Sequence, residues 1–174
     1  TDGHVYQAGD TRQTFSIQSI SKAFTYGIAL EDQGEARVAS RINVEPSGEA
    51  FNSISLEPVS GRPLNPMINA GAIVATSLVK GDRGDDKLLR IQEKFARYAG
   101  QQLHVDEAIY LSEKTTGHRN RAIAHLLRNY NILSDDPEEP LDAYFRQCSI
   151  MVNARDLAVM GATLANDGVN PITG

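Results

Sequence analysis

Cysteine is nearly absent, with Cys148 the only one in 174 residues. A disulfide framework and a cysteine-based zinc site are therefore excluded, which fits a reducing, cytoplasmic compartment. Cys148 stands between Gln147 and Ser149 beside an apolar segment and reads as a buried structural thiol. The four histidines, His4, His104, His118 and His125, have no partner at metal-ligand spacing, so neither a metal nor a cofactor is assigned. Basic clusters are also missing, and a formal net charge of −5 argues against nucleic acid or an anionic membrane as the partner. No apolar run reaches the roughly 18 residues of a membrane span, and the start has no signal-peptide pattern. Internal repeats and low-complexity tracts are absent.

What remains is ordinary for a globular chain: 41% hydrophobic and 22% charged residues over a length that buries a core of its own as one domain. The apolar spacing predicts a helix-rich α/β or α+β unit with a few short strands near the start. Thr1-Asp2-Gly3 reads as a turn feeding a strand at His4–Ala8, and Asn166–Gly174 as a loop leaving a helix, so an internal piece of a longer polypeptide is expected.

The chemistry is expected in Phe15–Phe24, where Ser19 and Lys22 are three residues apart. On a helix beginning at Ser19 that spacing puts hydroxyl and amine on one face, one turn apart. A serine becomes a nucleophile when a neighbouring neutral amine takes its proton, and a lysine is neutral only if its pKa is pulled well down. Phe15, Ile17, Ile20, Phe24 and Ile28 offer the apolar setting that does this. The bland alternative is a serine N-cap followed by a solvated lysine. A second match, Ser77 to Lys80, ends an apolar run before Gly81 and reads as structural.

Taken in order, Gln13–Ile17 is expected to pair with His4–Ala8 as a small hairpin. A helix follows over Ser19–Gln33 with Gly34 as its stop, then a short helix over Arg37–Asn43. Phe51–Glu57 alternates weakly, and Pro58–Pro66 is loop. From Asn65-Pro66 a helix apolar nearly all round is expected to run to Leu78 at the centre of the fold. Asn69 inside it is either a structural tie or a ligand contact. Asp85–Ala99 is an amphipathic helix closed by Gly100, and Val105–Leu111 a short one. Ser112–Asn120 reads as a solvated polar loop in which Glu113 is suited to a cation or amine, with a helix opening at Asn120. An acidic run, Asp135, Asp136, Glu138 and Glu139, charges the first turn of a helix through Leu141–Ser149 that carries Tyr144. Asn153 with Asp156 marks a capping-box start for the last helix, which runs to Asn166.

Several segments together resemble the serine-dependent glutaminases, a family sharing the fold of β-lactamases and penicillin-binding proteins. They are Phe15–Lys22, Glu45–Gly48, Asn65-Pro-Met-Ile-Asn-Ala-Gly-Ala72, Ser112-Glu113 with Arg119-Asn120, Tyr144-Phe145 with Cys148-Ser149, and Ala162–Asn166 with Pro171–Gly174. The resemblance implies a β-lactamase-like fold with part of its antiparallel sheet, and hydrolysis of L-glutamine to L-glutamate and ammonia. It gives Ser19 the role of nucleophile and Lys22 that of general base, and puts glutamine binding on Asn69, Glu113, Asn120 and Tyr144, with Gln18 touching the site. An anion for the substrate ammonium and neutral donors for its carboxylate are what a zwitterion needs. The Ser19 amide is suited to be an oxyanion donor. Residues 1–174 would then be a single incomplete domain, without the family's N-terminal strand segment and its C-terminal strands with their Lys-Ser-Gly region. The family analogy implies a homodimer or homotetramer. Competing readings are another SxxK acyl-enzyme hydrolase acting on β-lactams or peptides, and a non-catalytic glutamine-sensing domain.

Overall fold

A computed structural model describes residues 2–50, 52–133 and 136–174. Thr1, Phe51 and Asp135, on which a turn, a strand start and part of the acidic run are expected, lie outside the described residues. Among the described residues the chain is mostly helical with one two-stranded antiparallel sheet.

The sheet differs from the expected hairpin. Strand β1, Phe15–Ser16, pairs with β2, Met151–Val152, in the register Phe15 to Val152 and Ser16 to Met151; residues 4–8 form no strand. A nearby sequence can supply the alternation of a partner strand, but pairing is decided by which edge the packed helices leave beside it. The contact continues past the strands, with the Ile17 amide donating to the Ile150 carbonyl at 2.8 Å.

Helix α1 spans Ser21–Gln33 and is entered through a 3₁₀ turn over Gln18–Ile20, so Ser19 sits in the tighter turn rather than at the α-helix start. Gly34 ends α1 with its amide on the Leu30 carbonyl. The short α2 covers Glu35–Ala39, earlier than expected because it restarts directly after that glycine. The central helix α3 runs Asn69–Leu78, with every side chain from Asn69 to Thr76 buried. It begins later than Pro66 because the Asn65 side chain accepts from the Met67 and Ile68 amides at 3.0 and 3.2 Å, holding those residues in a turn. Asn65 also donates to the Glu45 carbonyl, and a Cβ on Gly71 would stand 2.0 Å from the Asn65 carbonyl oxygen. The Asn-Pro-Met-Ile-Asn-Ala-Gly-Ala string is thus a turn clasped onto its own helix.

Helices α4 (Gly84–Ala99), α5 (Glu107–Thr116), α6 (His118–Asn129), α7 (Glu138–Cys148) and α8 (Ala154–Ala165) complete the layer. The expected loop over Ser112–Asn120 is instead the end of α5 and the start of α6. Asp106 caps α5 by accepting from the Ala108 and Ile109 amides, and the helix then propagates through the polar residues. Only Gly117 interrupts, where a Cβ would lie 2.3 Å from the Phe145 ring. In α8, Asn153 and Asp156 exchange side-chain and backbone bonds, both at 3.0 Å. One apolar cluster gathers around α3, α6 and α7, and a second packs α1 and α4 with Ile150, Val152 and Met160.

Candidate active site

Strand β1 delivers the chain into a strained corner. Gln18 has a φ of 48°, a left-handed conformation that a non-glycine residue adopts at a cost of about 1–3 kcal/mol. The next residue, Ser19, is exposed, and three residues on Lys22 is 2% exposed in the first turn of α1. Burial lowers the Lys22 ammonium below the ordinary lysine pKa, against an opposing contribution from the Cys148 sulfur. Lys22 Nζ donates to the Met67 carbonyl at 3.0 Å and to Asn69 Oδ1 at 2.7 Å. Both of these acceptors are neutral, so neither rewards the charged form of the amine as a carboxylate would.

Asn69, left open between structural tie and ligand contact, has both of its polar ends engaged. Its Nδ2 donates to Asn120 Oδ1 at 3.0 Å, tying α1 through α3 to α6. That bond uses the oxygen end of the Asn120 amide as its acceptor. Gln18 Nε2 reaches Glu113 Oε1 at 3.3 Å and Ser16 Oγ at 3.2 Å, connecting the corner to α5. Glu113 is half-buried, and its charge acts on Tyr144 and Cys148.

Tyr144 is buried, and burial, with the Cys148 and Glu113 neighbours, pushes its phenol well above the ordinary value. It is therefore a neutral hydroxyl, and it hydrogen-bonds to the Cys148 sulfur. Burial pushes the Cys148 thiol up to about 12 despite its hydrogen-bond contacts with Tyr144 and Ser21. A thiol held protonated in this way is no nucleophile, so the structural reading of Cys148 stands. Its place beside Tyr144, Ser21, Lys22 and Glu113 is what the sequence reading missed. The available signal was three polar-capable residues in a row, Gln147, Cys148 and Ser149, at the end of an apolar helix. The second SxxK is inert by comparison: Ser77 Oγ bonds the Val74 carbonyl of its own helix, and Lys80 is exposed.

Two side-chain ties fix the helices that carry these groups. Asp142 of α7 accepts from Tyr110 and Lys114 of α5, both at 2.6 Å, and from Arg146 at 3.0 Å. Asp32 of α1 is paired with Arg90 of α4 and accepts the Lys80 amide at 2.9 Å.

A family model described as Glutaminase matches residues 1–174. The chain belongs to the glutaminase family. It is 58% identical over 173 residues to a glutaminase of Trichormus variabilis, covering 99% of this chain and 52% of that relative. Among solved structures, a chain described as a probable glutaminase, ybaS, superposes with a TM-score of 0.94 at 45% identity, over 99% of this chain and 56% of that one. The glutamate form of Mglu gives a TM-score of 0.93 at 46% identity, over 99% of this chain and 40% of that one. The chain thus spans about half the length of the curated relatives it matches first.

Proposed function

We propose that the protein hydrolyses L-glutamine to L-glutamate and ammonia through an acyl-enzyme on Ser19. The observation that carries this reading is Lys22: a buried amine one helical turn beyond an exposed serine, donating to a backbone carbonyl and to a neutral side-chain amide. Lys22 takes the Ser19 proton as the oxygen attacks the side-chain amide carbon of glutamine. The C–N bond breaks when Lys22 returns that proton to the departing nitrogen, which leaves as ammonia. Water then adds to the ester by the same proton route and releases glutamate.

The substrate's ends account for the remaining residues. Glu113 takes the ammonium, Asn120 and Tyr144 donate to the carboxylate, Asn69 holds Lys22 and borders the substrate, and Gln18 lines the mouth. The Ser19 amide faces the developing oxyanion, a role worth about 2.7–4 kcal/mol where it has been removed. The order of strand, 3₁₀ turn and buried helix bearing the SxxK supports a β-lactamase-like fold for the whole domain. The lone protonated thiol supports a cytoplasmic setting, and family membership supports a homodimer or homotetramer.

The test is glutamate formation from L-glutamine by the product of the whole gene and by its Ser19→Ala variant. Turnover lost with Ser19 supports the reading, whereas turnover that survives the substitution, or a wild type that binds glutamine without releasing ammonia, sinks it.

A further inference from the structure

The strained corner is held from below by a line of buried hydrogen bonds that the proposed chemistry does not use. The Gln18 carbonyl accepts twice from Ser21, from its amide within the 3₁₀ turn and from its hydroxyl at 2.6 Å. Ser21 Oγ in turn accepts from Gln147 Nε2 at 2.9 Å, and Gln147 Oε1 accepts from Thr76 Oγ1 at 3.1 Å. Ser21, Thr76 and Gln147 are all fully buried. The direction of the chain follows from chemistry. An amide nitrogen only donates, so Ser21 is the acceptor from Gln147, and its single proton goes to the Gln18 carbonyl.

The Gln18–Ser19 peptide is trans and planar, so its N–H points opposite to its C=O. Drawing the Gln18 carbonyl into the interior therefore turns the Ser19 amide outward, toward the exposed side of the corner where Ser19 itself lies. Accepting Ser19 as the nucleophile of the proposed reaction, we infer that Ser21 and Gln147 are positioning residues that aim the Ser19 amide at the substrate's carbonyl oxygen. They hold the left-handed Gln18 in place, and neither touches substrate. An apolar pair would fill the same space without burying polar groups that must be satisfied. The polar chain gives the Gln18 carbonyl a side-chain donor in addition to the Ser21 amide.

The test uses the product of the whole gene with Ser21→Ala, Gln147→Leu and the double substitution. Three quantities are read: kcat and KM for L-glutamine, the thermal midpoint, and the rate at which a fluorophosphonate labels Ser19, followed by mass. Ser21→Ala is expected to lower kcat by about 10- to 100-fold and to leave KM within about threefold. It also lowers the midpoint, because Gln147 Nε2 is left buried without an acceptor. Gln147→Leu keeps the Ser21–Gln18 bond and loses less activity. The double variant has no orphaned amide, so its midpoint recovers while kcat stays at the Ser21→Ala level.

A kcat that recovers together with the midpoint overturns the inference, since the pair would then be only packing. So does a Ser21→Ala enzyme with kcat unchanged. Should Ser21→Ala fail to fold, the double variant carries the comparison. If the wild type has no Ser19-dependent glutamine turnover, the glutaminase reading fails by itself and the labelling rate decides: slower labelling in the double variant supports positioning, while equal labelling, or none in the wild type, overturns it.

Discussion

Lys22 and Asn69 meet end to end, with Nζ 2.7 Å from Oδ1 and both side chains buried. The pairing is between an amine and a neutral amide. An amide satisfies the N–H bonds of the base without rewarding its protonation as a carboxylate would.

Replacing that amide by its acid isostere reverses the balance. In Asn69→Asp an anion stands where Oδ1 is now, the Lys22 ammonium is stabilised, and the fraction of neutral base at neutral pH falls. Wild-type turnover is expected to rise with pH through the depressed Lys22 transition, because the neutral amine is the active form. In Asn69→Asp the same rise moves to higher pH, and kcat at pH 7 drops by at least about tenfold. A kcat–pH profile of the two proteins measures this. An unmoved limb would show that Lys22 is not the group titrating.

Asp142 bears on substrate binding through the position of α5. Its carboxylate is raised by burial, but hydrogen bonds from Lys114, Tyr110 and Arg146 outweigh that and hold it below the usual carboxylate range. Asp142→Ala releases the tie between α5, which carries Glu113, and α7, which carries Tyr144. KM for glutamine is expected to rise by about three- to tenfold with a smaller change in kcat, the pattern of lost ground-state binding. Steady-state kinetics check it, and a fall in kcat at constant KM would contradict it.

Asp32 is a matter of stability. Burial pushes its pKa up, but Arg90 and the Lys80 amide more than offset that, so the folded value lies below the ordinary one. Such a group contributes stability that is fully present above its unfolded pKa of about 3.9 and is lost as pH falls through the lower folded value. Asp32→Ala is expected to cost about 1–3 kcal/mol at pH 7, since Glu31 offers Arg90 only a distant replacement at 4.0 Å. Denaturant unfolding of both proteins at pH 7 and near pH 3 measures this, and the difference should shrink at the lower pH.

Features that depend on residues close in sequence are legible in the sequence itself. The stops at Gly34 and Gly100, the Asn153–Asp156 start of α8 and the all-round apolar α3 all follow from bonds within a turn or from the chain's own period. So does the SxxK on a helix face, although a 3₁₀ turn carries its serine. The polar stretch over residues 112–120 was misleading, because polarity there reflects an outward face and the two helices are set by Asp106 and Gly117.

By itself, then, the sequence determined where α1, α3 and α4 stop, which serine precedes a lysine in apolar surroundings, and the family to which the chain belongs. Only the tertiary structure decided that β1 pairs with Met151–Val152, and that Asn69 grips Lys22 with one end and Asn120 with the other. It also decided that Gln147 reaches Ser21 from 126 residues away. The physical reason is the range of the interactions. Caps and periodicity are satisfied within a few residues, whereas a buried asparagine or glutamine must find its partner on whichever helix packing brings within 3 Å, and here those helices are far apart along the chain.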